Sequence, residues 1–151
     1  MGEMSPVPGQ PAAAEPAAPA AQPVAFVDAS AIVALVDADD PAHAAAVAAY
    51  RDLVGAGYKL FTTDHGVAEA YDLLRLGLGS AVARRWLERQ RLAVYHVDAA
   101  DLGEARRRLL DPEAVGLAEL SLTDVLSLVV MDRLGVGDAF AVDPRFLAGT
   151  G

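Results

Sequence analysis

Short, almost wholly apolar runs alternate with helical patterns along this chain, and this alternation limits its fold more than any other feature. The four runs are "VAFVD" from Val24, "YKLFTT" from Tyr58, "LAVYHV" from Leu92 and "DAFAVD" from Asp138. Strands that are apolar on both faces are typical of a parallel sheet that helices cover on both sides. We therefore predict an α/β fold of three layers, with a central parallel sheet of four or five strands flanked by helices.

The segments between these runs carry the start and stop signals of helices. A short helix is predicted with Ser30 near its start, and a longer one between Pro41 and Gly57. Thr63 or Asp64 opens the next helix. Further helices are predicted in "SAVARRWLERQ", "DAADLGEARRRLLD" and "LSLTDVLSLVVMDRLG", followed by a last helical turn in "PRFLAG". Because crossovers between parallel strands are right-handed, the carboxyl ends of all strands meet at one edge of the sheet, where sites commonly form.

The first part of the chain differs from the rest in composition. Residues 1–23 are rich in proline and alanine and show no apolar periodicity. Such a segment buries too little surface to offset the entropy of ordering, so we predict a disordered tail there. The folded domain is then predicted to span residues 24–151, a length that suits a single core.

Charge and cysteine content restrict the classes of ligand and the compartment. The 151-residue chain has no cysteine and a formal net charge of −9. The absence of cysteine excludes disulfides and zinc–thiolate sites. Because an acidic chain does not attract nucleic acid through its overall field, a polyanionic ligand would need a local basic patch or bound cations. No stretch has the length of a membrane span or the features of a secretion signal, so we expect a cytoplasmic protein without a membrane partner.

Four acidic residues occupy positions that the predicted fold brings to the same edge of the sheet. Asp28 and Asp143 end the first and last strands, Glu69 lies early in the helix after the second strand, and Asp124 lies in the first turn of another helix. Each has an ordinary structural explanation, since acids cap helices and "SLTD" resembles a capping box. Together they would oppose one another's ionisation unless a cation intervened, and carboxylate oxygens suit Mg²⁺ or Mn²⁺. A divalent ion held by carboxylates is typical of phosphoryl chemistry.

The stretches around these acids carry a family resemblance. They read "FVDASAIVALVDADDPAH", "LFTTDHGVAEAYDLL", "LSLTDVLSLVVMDRLGV" and "AFAVDPRF". In their order and spacing the chain resembles the PIN-domain family, and most closely the VapC-type toxin ribonucleases of bacterial type II toxin–antitoxin systems. The resemblance implies a Mg²⁺- or Mn²⁺-dependent endoribonuclease that hydrolyses RNA phosphodiester bonds with a metal-activated water. It assigns both catalysis and metal binding to Asp28, Glu69, Asp124 and Asp143.

The resemblance also implies supporting residues and partners. Ser30 and Thr123 would support the acids through hydrogen bonds, and His43 would be structural. Family members pair with a small antitoxin, whose C-terminal segment lies along the toxin's groove and brings a positive side chain to the acids. They commonly form homodimers through the middle helices. A cognate antitoxin, an RNA substrate and a homodimer or toxin–antitoxin hetero-oligomer are therefore expected. Many relatives have Asn at the position of Asp64, which we interpret here as a helix cap.

Several arginines are candidates for contact with RNA phosphates. We expect Arg145, which follows Asp143 closely, to lie near the mouth of the acidic cleft and to contact a phosphate. Arg84 and Arg85 are also candidates, although they could equally form a solvated helix face that pairs with acids such as Glu88.

Two other functions stay open at this point. One is a PIN fold that binds RNA or a partner without efficient cleavage, because catalysis depends on accurate placement of the reacting groups. The other is a receiver-type or phosphatase-type α/β domain that forms an aspartyl phosphate. This second function is disfavoured, because "DAS" supplies one Asp where these sites need a pair, and because the only lysine, Lys59, starts a strand.

Overall fold

A computed structural model describes residues 21–150, so the predicted tail lies outside the described residues except for its last three positions. None of the helices between residues 21 and 150 is both long enough and apolar enough to cross a membrane. The elements of this part of the chain are, in order, β1 (Val24–Val27), α1 (Ala29–Val36), α2 (His43–Gly55), β2 (Lys59–Thr63), α3 (Asp64–Leu78), α4 (Ser80–Arg89), β3 (Ala93–Tyr95), α5 (Ala99–Leu109), a short 3-10 helix (Val115–Leu117), α6 (Leu122–Leu134), β4 (Asp138–Phe140) and α7 (Pro144–Gly149).

The four strands form one parallel sheet in the order β3-β2-β1-β4. β1 lies inside the sheet, where Phe26 is in register with Phe61 of β2 and with Ala139 of β4. The predicted parallel α/β architecture is confirmed, with four strands in the described part of the chain.

The side chains of β1 alternate between two apolar clusters, one on each face of the sheet. Phe26 packs in a cluster with Val125 of α6 and Phe146 of α7. Val27 belongs to a second cluster, to which α1, α2, α3 and α4 contribute, for example through Leu74. Because successive residues of a strand point to opposite faces, both faces of the short strand are buried and the fold has three layers.

The start of α2 differs from the prediction by two residues. Pro41 lies in the preceding turn, where the carboxylate of Asp40 accepts the N–H of Ala42 at 2.8 Å. The helix begins at His43, whose Nδ1 lies 2.7 Å from the carbonyl oxygen of Ala34 in α1. This hydrogen bond ties α2 to α1, which is the structural role expected for His43.

The interpretation of Asp64 as the cap of α3 is wrong. The N-cap is Thr63, whose hydroxyl accepts the N–H of Gly66 at 2.9 Å. The carboxylate of Asp64 instead accepts the backbone N–H of Val97, which follows β3, at 3.1 Å. Asp64 therefore ties the start of α3 to the end of the neighbouring strand, because both lie at the same edge of the sheet.

Candidate active site

A cleft of about 460 Å³ opens at the edge of the sheet where β1 and β4 end. All four acids singled out in the sequence line it, namely Asp28, Glu69, Asp124 and Asp143. These residues lie far apart along the chain, and the parallel order of the strands brings them to one place. The cleft is therefore the point at which the sequence motifs converge.

Three of the acids are held in place by the starts of helices. Asp28 is the N-cap of α1, where its Oδ2 accepts the N–H of Ser30 at 3.0 Å. Asp143 is the N-cap of α7, and Asp124 completes a capping box on α6 by accepting the N–H of Ser121 at 3.2 Å. Each of these acids can be both a helix cap and a residue of the cleft, because helices begin where the strands of a parallel sheet end. The positive ends of these helices also offset part of the negative charge.

Ser30 connects the segments that follow β1 and β4 and that carry Asp28 and Asp143. Asp143 lies three residues beyond the end of β4 and not at its end as predicted. Its hydroxyl oxygen accepts the N–H groups of Val142 and Asp143 at 3.1 and 3.3 Å. The N–H of Asp28 donates to the carbonyl oxygen of Phe140 at 2.9 Å, so the pairing of β1 with β4 continues to the edge of the cleft. Ser30 thereby fixes the positions of the two acids relative to each other.

Glu69 experiences the charge of the whole cleft. Burial, together with the carboxylates of Asp124, Asp28 and Asp143, raises the pKa of Glu69 to about 7. Its Oε2 is buried and makes no hydrogen bond to any residue between 21 and 150. Burial also raises the pKa of Asp28, whose exposed fraction is only 4%, although hydrogen bonds from Ser30 oppose this shift. An excess of negative charge beside an unsatisfied carboxylate oxygen is favourable for a cation.

Asp143 differs from the other acids because a cation pairs with it. The Nη2 and Nε atoms of Arg145 lie 3.2 and 3.3 Å from the two carboxylate oxygens of Asp143. These hydrogen bonds hold the pKa of Asp143 below its ordinary value. Arg145 lines the cleft, and in this arrangement its guanidinium faces an acid of the same cleft. Its contact with an RNA phosphate stays a prediction.

The acids of the cleft do not form a closed metal shell. Among residues 21–150, no three His, Asp or Glu side chains lie close enough together to hold one metal ion. Mg²⁺ commonly binds through one or two carboxylates and keeps several of its waters, so a partial set of oxygen ligands suits this ion. The buried Oε2 of Glu69 and the carboxylates that surround it fit a hard divalent cation on these grounds.

Comparison with known proteins identifies the family of the chain. Residues 25–148 match the sequence model of the PIN domain. The chain belongs to the PIN domain family. Among solved structures it is similar to VapC20 of Mycobacterium tuberculosis, described as a toxin that cleaves the sarcin–ricin loop, with 27% identity and a TM-score of 0.69. The similarity covers 83% of this chain and 93% of VapC20. No curated protein gives a significant match.

Some of the predicted site residues do not line the cleft. Thr123 precedes Asp124, but its carbonyl oxygen accepts the hydroxyl of Ser127 at 2.9 Å within α6, and it is not among the lining residues. Arg84 and Arg85 are exposed on α4 and are not among them either. The supporting role of Thr123 and the RNA contacts of the two arginines stay predictions.

A fifth acid of the PIN domain cleft, Glu119, was missed in the sequence. It is exposed and lies in the loop between the 3-10 helix and α6. This loop has no apolar periodicity and follows no strand, so neither of the signals that marked the other acids was present. The proximity of Glu119 to the capping residue Ser121 was the only indication that it would reach the same edge.

The position of Lys59 bears on the receiver-type alternative. Lys59 is the first residue of β2, so it lies at the amino end of the sheet, away from the acidic cleft. A phosphoacceptor site of the receiver type needs a lysine beside its acids. Membership in the PIN domain family and this placement both disfavour an aspartyl-phosphate function.

Proposed function

We propose that this PIN domain is an endoribonuclease that depends on Mg²⁺ or Mn²⁺, and that it is the toxin of a toxin–antitoxin pair in the cytoplasm. The observation that carries the proposal is the convergence of Asp28, Glu69, Asp124 and Asp143 on one cleft, with the pKa of Glu69 raised to about 7 by burial and by its acidic neighbours. The similarity to VapC20, whose described activity is cleavage of the sarcin–ricin loop, supports RNA as the substrate.

The same four acids are the proposed metal ligands. A divalent ion held among them, directly by one or two carboxylates and through its waters by the others, would activate the attacking water and stabilise charge on the leaving oxygen of the phosphodiester. It would also make the cleft attractive to RNA, which the net charge of −9 does not do by itself. The products proposed for this hydrolysis carry a 5′-phosphate and a 3′-hydroxyl.

The protein contributes placement and proton chemistry to the proposed reaction. Ser30 holds the backbone of Asp143 beside Asp28, so the two acids keep a fixed spacing at the floor of the cleft. Burial and the neighbouring acids raise the pKa of Glu69 to about 7, so before a cation binds this group takes up a proton more readily than an ordinary carboxylate. A bound cation would favour the ionised form of Glu69, whose carboxylate would then hold the ion.

The direct test is Mg²⁺-dependent cleavage of RNA by highly purified protein. Wild-type protein is expected to cleave total RNA with Mg²⁺ or Mn²⁺, and a chelator is expected to stop the reaction. Asp28→Asn and Asp124→Asn should lose cleavage while they remain folded, because Asn also caps helices well and both acids have capping roles. Circular dichroism and thermal unfolding check the fold. Cleavage retained by the double variant would count decisively against the proposal.

The sarcin–ricin loop is the first defined substrate to compare with total RNA. This choice follows from the described activity of VapC20. A synthetic stem–loop with that sequence and a scrambled stem–loop of equal length form a matched pair. Selective cleavage of the first would extend the likeness to VapC20 to the substrate, whereas equal cleavage of both would leave a ribonuclease with a different choice of target.

We also propose an antitoxin as the partner, with a groove beside α4 as a docking site in addition to the acidic cleft, where the positive side chain implied by the family resemblance would bind. The groove measures about 500 Å³ and its apolar lining includes Ile32, Val54 and Trp86. Arg89 and Arg91 lie at the same groove and add positive charge. An amphipathic helix with acidic residues beside its apolar face is the occupant that matches this combination. Trp86→Ala is expected to weaken antitoxin binding at least tenfold by calorimetry, and unchanged affinity would exclude the groove.

A second candidate function is a PIN domain that binds RNA or a partner without efficient cleavage. The observation that favours it is the lack of three closely spaced acids among the described residues. It predicts RNA binding that Asp28→Asn leaves intact and no cleavage under any metal. The cleavage assay described above separates the two functions.

A further inference from the structure

We propose that Arg145 is a built-in counter-ion that competes with a divalent cation for Asp143 and, once displaced, binds a phosphate of the RNA. This inference rests on the proposed function, because it gives Arg145 a positioning role at the same cleft. It makes cation binding and RNA binding mutually reinforcing, with Arg145 as the residue that couples them.

The geometry of the ion pair shows that Arg145 occupies both oxygens of its acid. Nη2 lies 3.2 Å from Oδ2 and Nε lies 3.3 Å from Oδ1, while the backbone N–H of Arg145 also donates to Oδ1 at 2.9 Å. A cation that binds either oxygen of Asp143 must therefore share that oxygen with the guanidinium or displace it. The backbone hydrogen bond belongs to the helix cap and does not depend on the side chain.

The charges around Arg145 make the competition specific to this position. Arg145 is the one cationic side chain, among the described residues, that lines the cleft with the five acids. Asp124 and Glu119 also act on its charge, in addition to Asp143. Removing Arg145 would leave the negative charge of the cleft without this internal compensation, so an added cation should bind more tightly to such a variant.

The exposure of the ion pair shows that it can be broken. The side chains of Arg145 and Asp143 are 62% and 23% exposed. The guanidinium is on the solvent side of this ion pair, so it can move away once a divalent ion neutralises Asp143, and no charge is left buried without a partner. A freed guanidinium at the mouth of the cleft presents a planar pair of donors, which matches the oxygens of a phosphate.

The first measurement is Mn²⁺ binding by calorimetry in the absence of RNA. Arg145→Gln is expected to bind Mn²⁺ about three- to tenfold more tightly than wild-type protein, because it loses both the competitor and a nearby positive charge. Arg51→Gln, which removes the same charge from an exposed position on α2, is the matched control and should bind as wild type does. Arg145→Lys keeps the charge without the planar pair of donors, and its affinity should fall between the two.

The second measurement is RNA binding with and without a cation. The probe is a fluorescein-labelled single-stranded RNA of about twelve nucleotides, with Ca²⁺ as the hard cation and intact RNA verified on a gel. Ca²⁺ should raise the RNA affinity of wild type and of Arg51→Gln. In Arg145→Gln the increase should be at least threefold smaller, because the side chain that couples the two ligands is missing.

The outcomes distinguish this inference from the proposed function. If none of the proteins takes up Mn²⁺, the metal-dependent function and the role of Arg145 both fail. If all bind Mn²⁺ with equal affinity, or if Arg145→Gln keeps the full increase in RNA affinity, the role of Arg145 alone is overturned. Tighter Mn²⁺ binding by Arg145→Gln, together with a smaller increase in its RNA affinity, supports the proposed role of Arg145.

Discussion

At the scale of single residues, the unusual group is Glu69, whose ionisation is opposed by the rest of the cleft. Its pKa of about 7 lies above its ordinary value of 4.5. Between those two values the folded state holds a proton that the unfolded state has lost. The stability contributed by this group is therefore present below about pH 4.5 and declines as the pH rises towards 7.

Glu69→Gln is the substitution that tests this linkage, because Gln has the shape of the protonated acid. In protein treated with a chelator, the variant should be more stable than wild type at about pH 8, by roughly 1–2 kcal/mol or several degrees in Tm. Below about pH 4.5 the two should be alike. Thermal unfolding across this pH range provides the measurement.

The control for Glu69 is Asp72→Asn, which removes a largely exposed acid from the same helix. It should leave the dependence of Tm on pH unchanged. Mn²⁺ should reverse the order at pH 8, because a cation that binds the folded state stabilises wild type more than a variant without this carboxylate. Equal Tm values for Glu69→Gln and wild type at pH 8 would mean that the cleft does not oppose ionisation.

At the scale of elements, the start of α6 combines a structural and a functional position. The hydroxyl of Ser121 accepts the N–H of Asp124 at 3.1 Å, and the carboxylate of Asp124 accepts the N–H of Ser121. Ser121→Ala should lower the free energy of unfolding by about 0.5–2 kcal/mol, the usual effect of losing an N-cap. Because Asp124 would also lose its orientation, the rate of RNA cleavage should fall by more than the loss of folded protein accounts for. Urea unfolding and cleavage rates measure the two effects.

The matched control is Ser121→Thr, which keeps a hydroxyl at the N-cap. It should retain most of the stability and most of the cleavage. A Ser121→Ala protein with the stability of wild type would show that the capping box is not important for α6, and unchanged cleavage would separate the orientation of Asp124 from the cap.

Elements with both an apolar pattern and a boundary signal could be predicted from the sequence, whereas contacts between elements could not. The four strands and the acids at their ends follow from local runs such as "VAFVD" and "DAFAVD". Asp101 shows the limit: it is fully buried, accepts a hydrogen bond from the hydroxyl of Tyr95 at 2.9 Å and pairs with Arg133 of α6 at 2.6 Å. Nothing in the surrounding residues indicates a partner so distant in the chain.

The same limit explains how far the site could be foreseen. Asp28, Glu69, Asp124 and Asp143 were marked by their relation to strands and helix starts, and they line one cleft. Two other contacts depend on the directions of side chains. Asp143 pairs with Arg145, and the hydroxyl oxygen of Ser30 accepts the backbone N–H of Asp143. In the sequence, an acid with a capping pattern can be interpreted as a helix cap or as a site residue. The three-dimensional arrangement shows that the same carboxylates do both.

At the scale of the whole molecule, the net charge of −9 and the exposed leucines of the middle helices act in opposite directions on self-association. Leu76 on α3 is 73% exposed, while Leu73 and Leu87, on α3 and α4, are 42% and 47% exposed. A homodimer through α3 and α4, as proposed from the VapC resemblance, would cover such side chains. Repulsion between two acidic chains should weaken it at low salt, since salt screens charges on the surface.

Light scattering coupled to size exclusion is expected to find more dimer at about 0.3 M salt than at about 0.02 M salt, because the Debye length shortens severalfold over this range. Leu76→Gln should shift the protein to monomer, since burying an unpaired amide in an apolar contact is unfavourable. Leu110→Gln, at a position 69% exposed just after α5, is the matched control and should leave the dimer intact. Equal effects of the two substitutions, or a dimer that weakens as salt increases, would rule out the apolar contact through α3 and α4 and require a dimer held by charge.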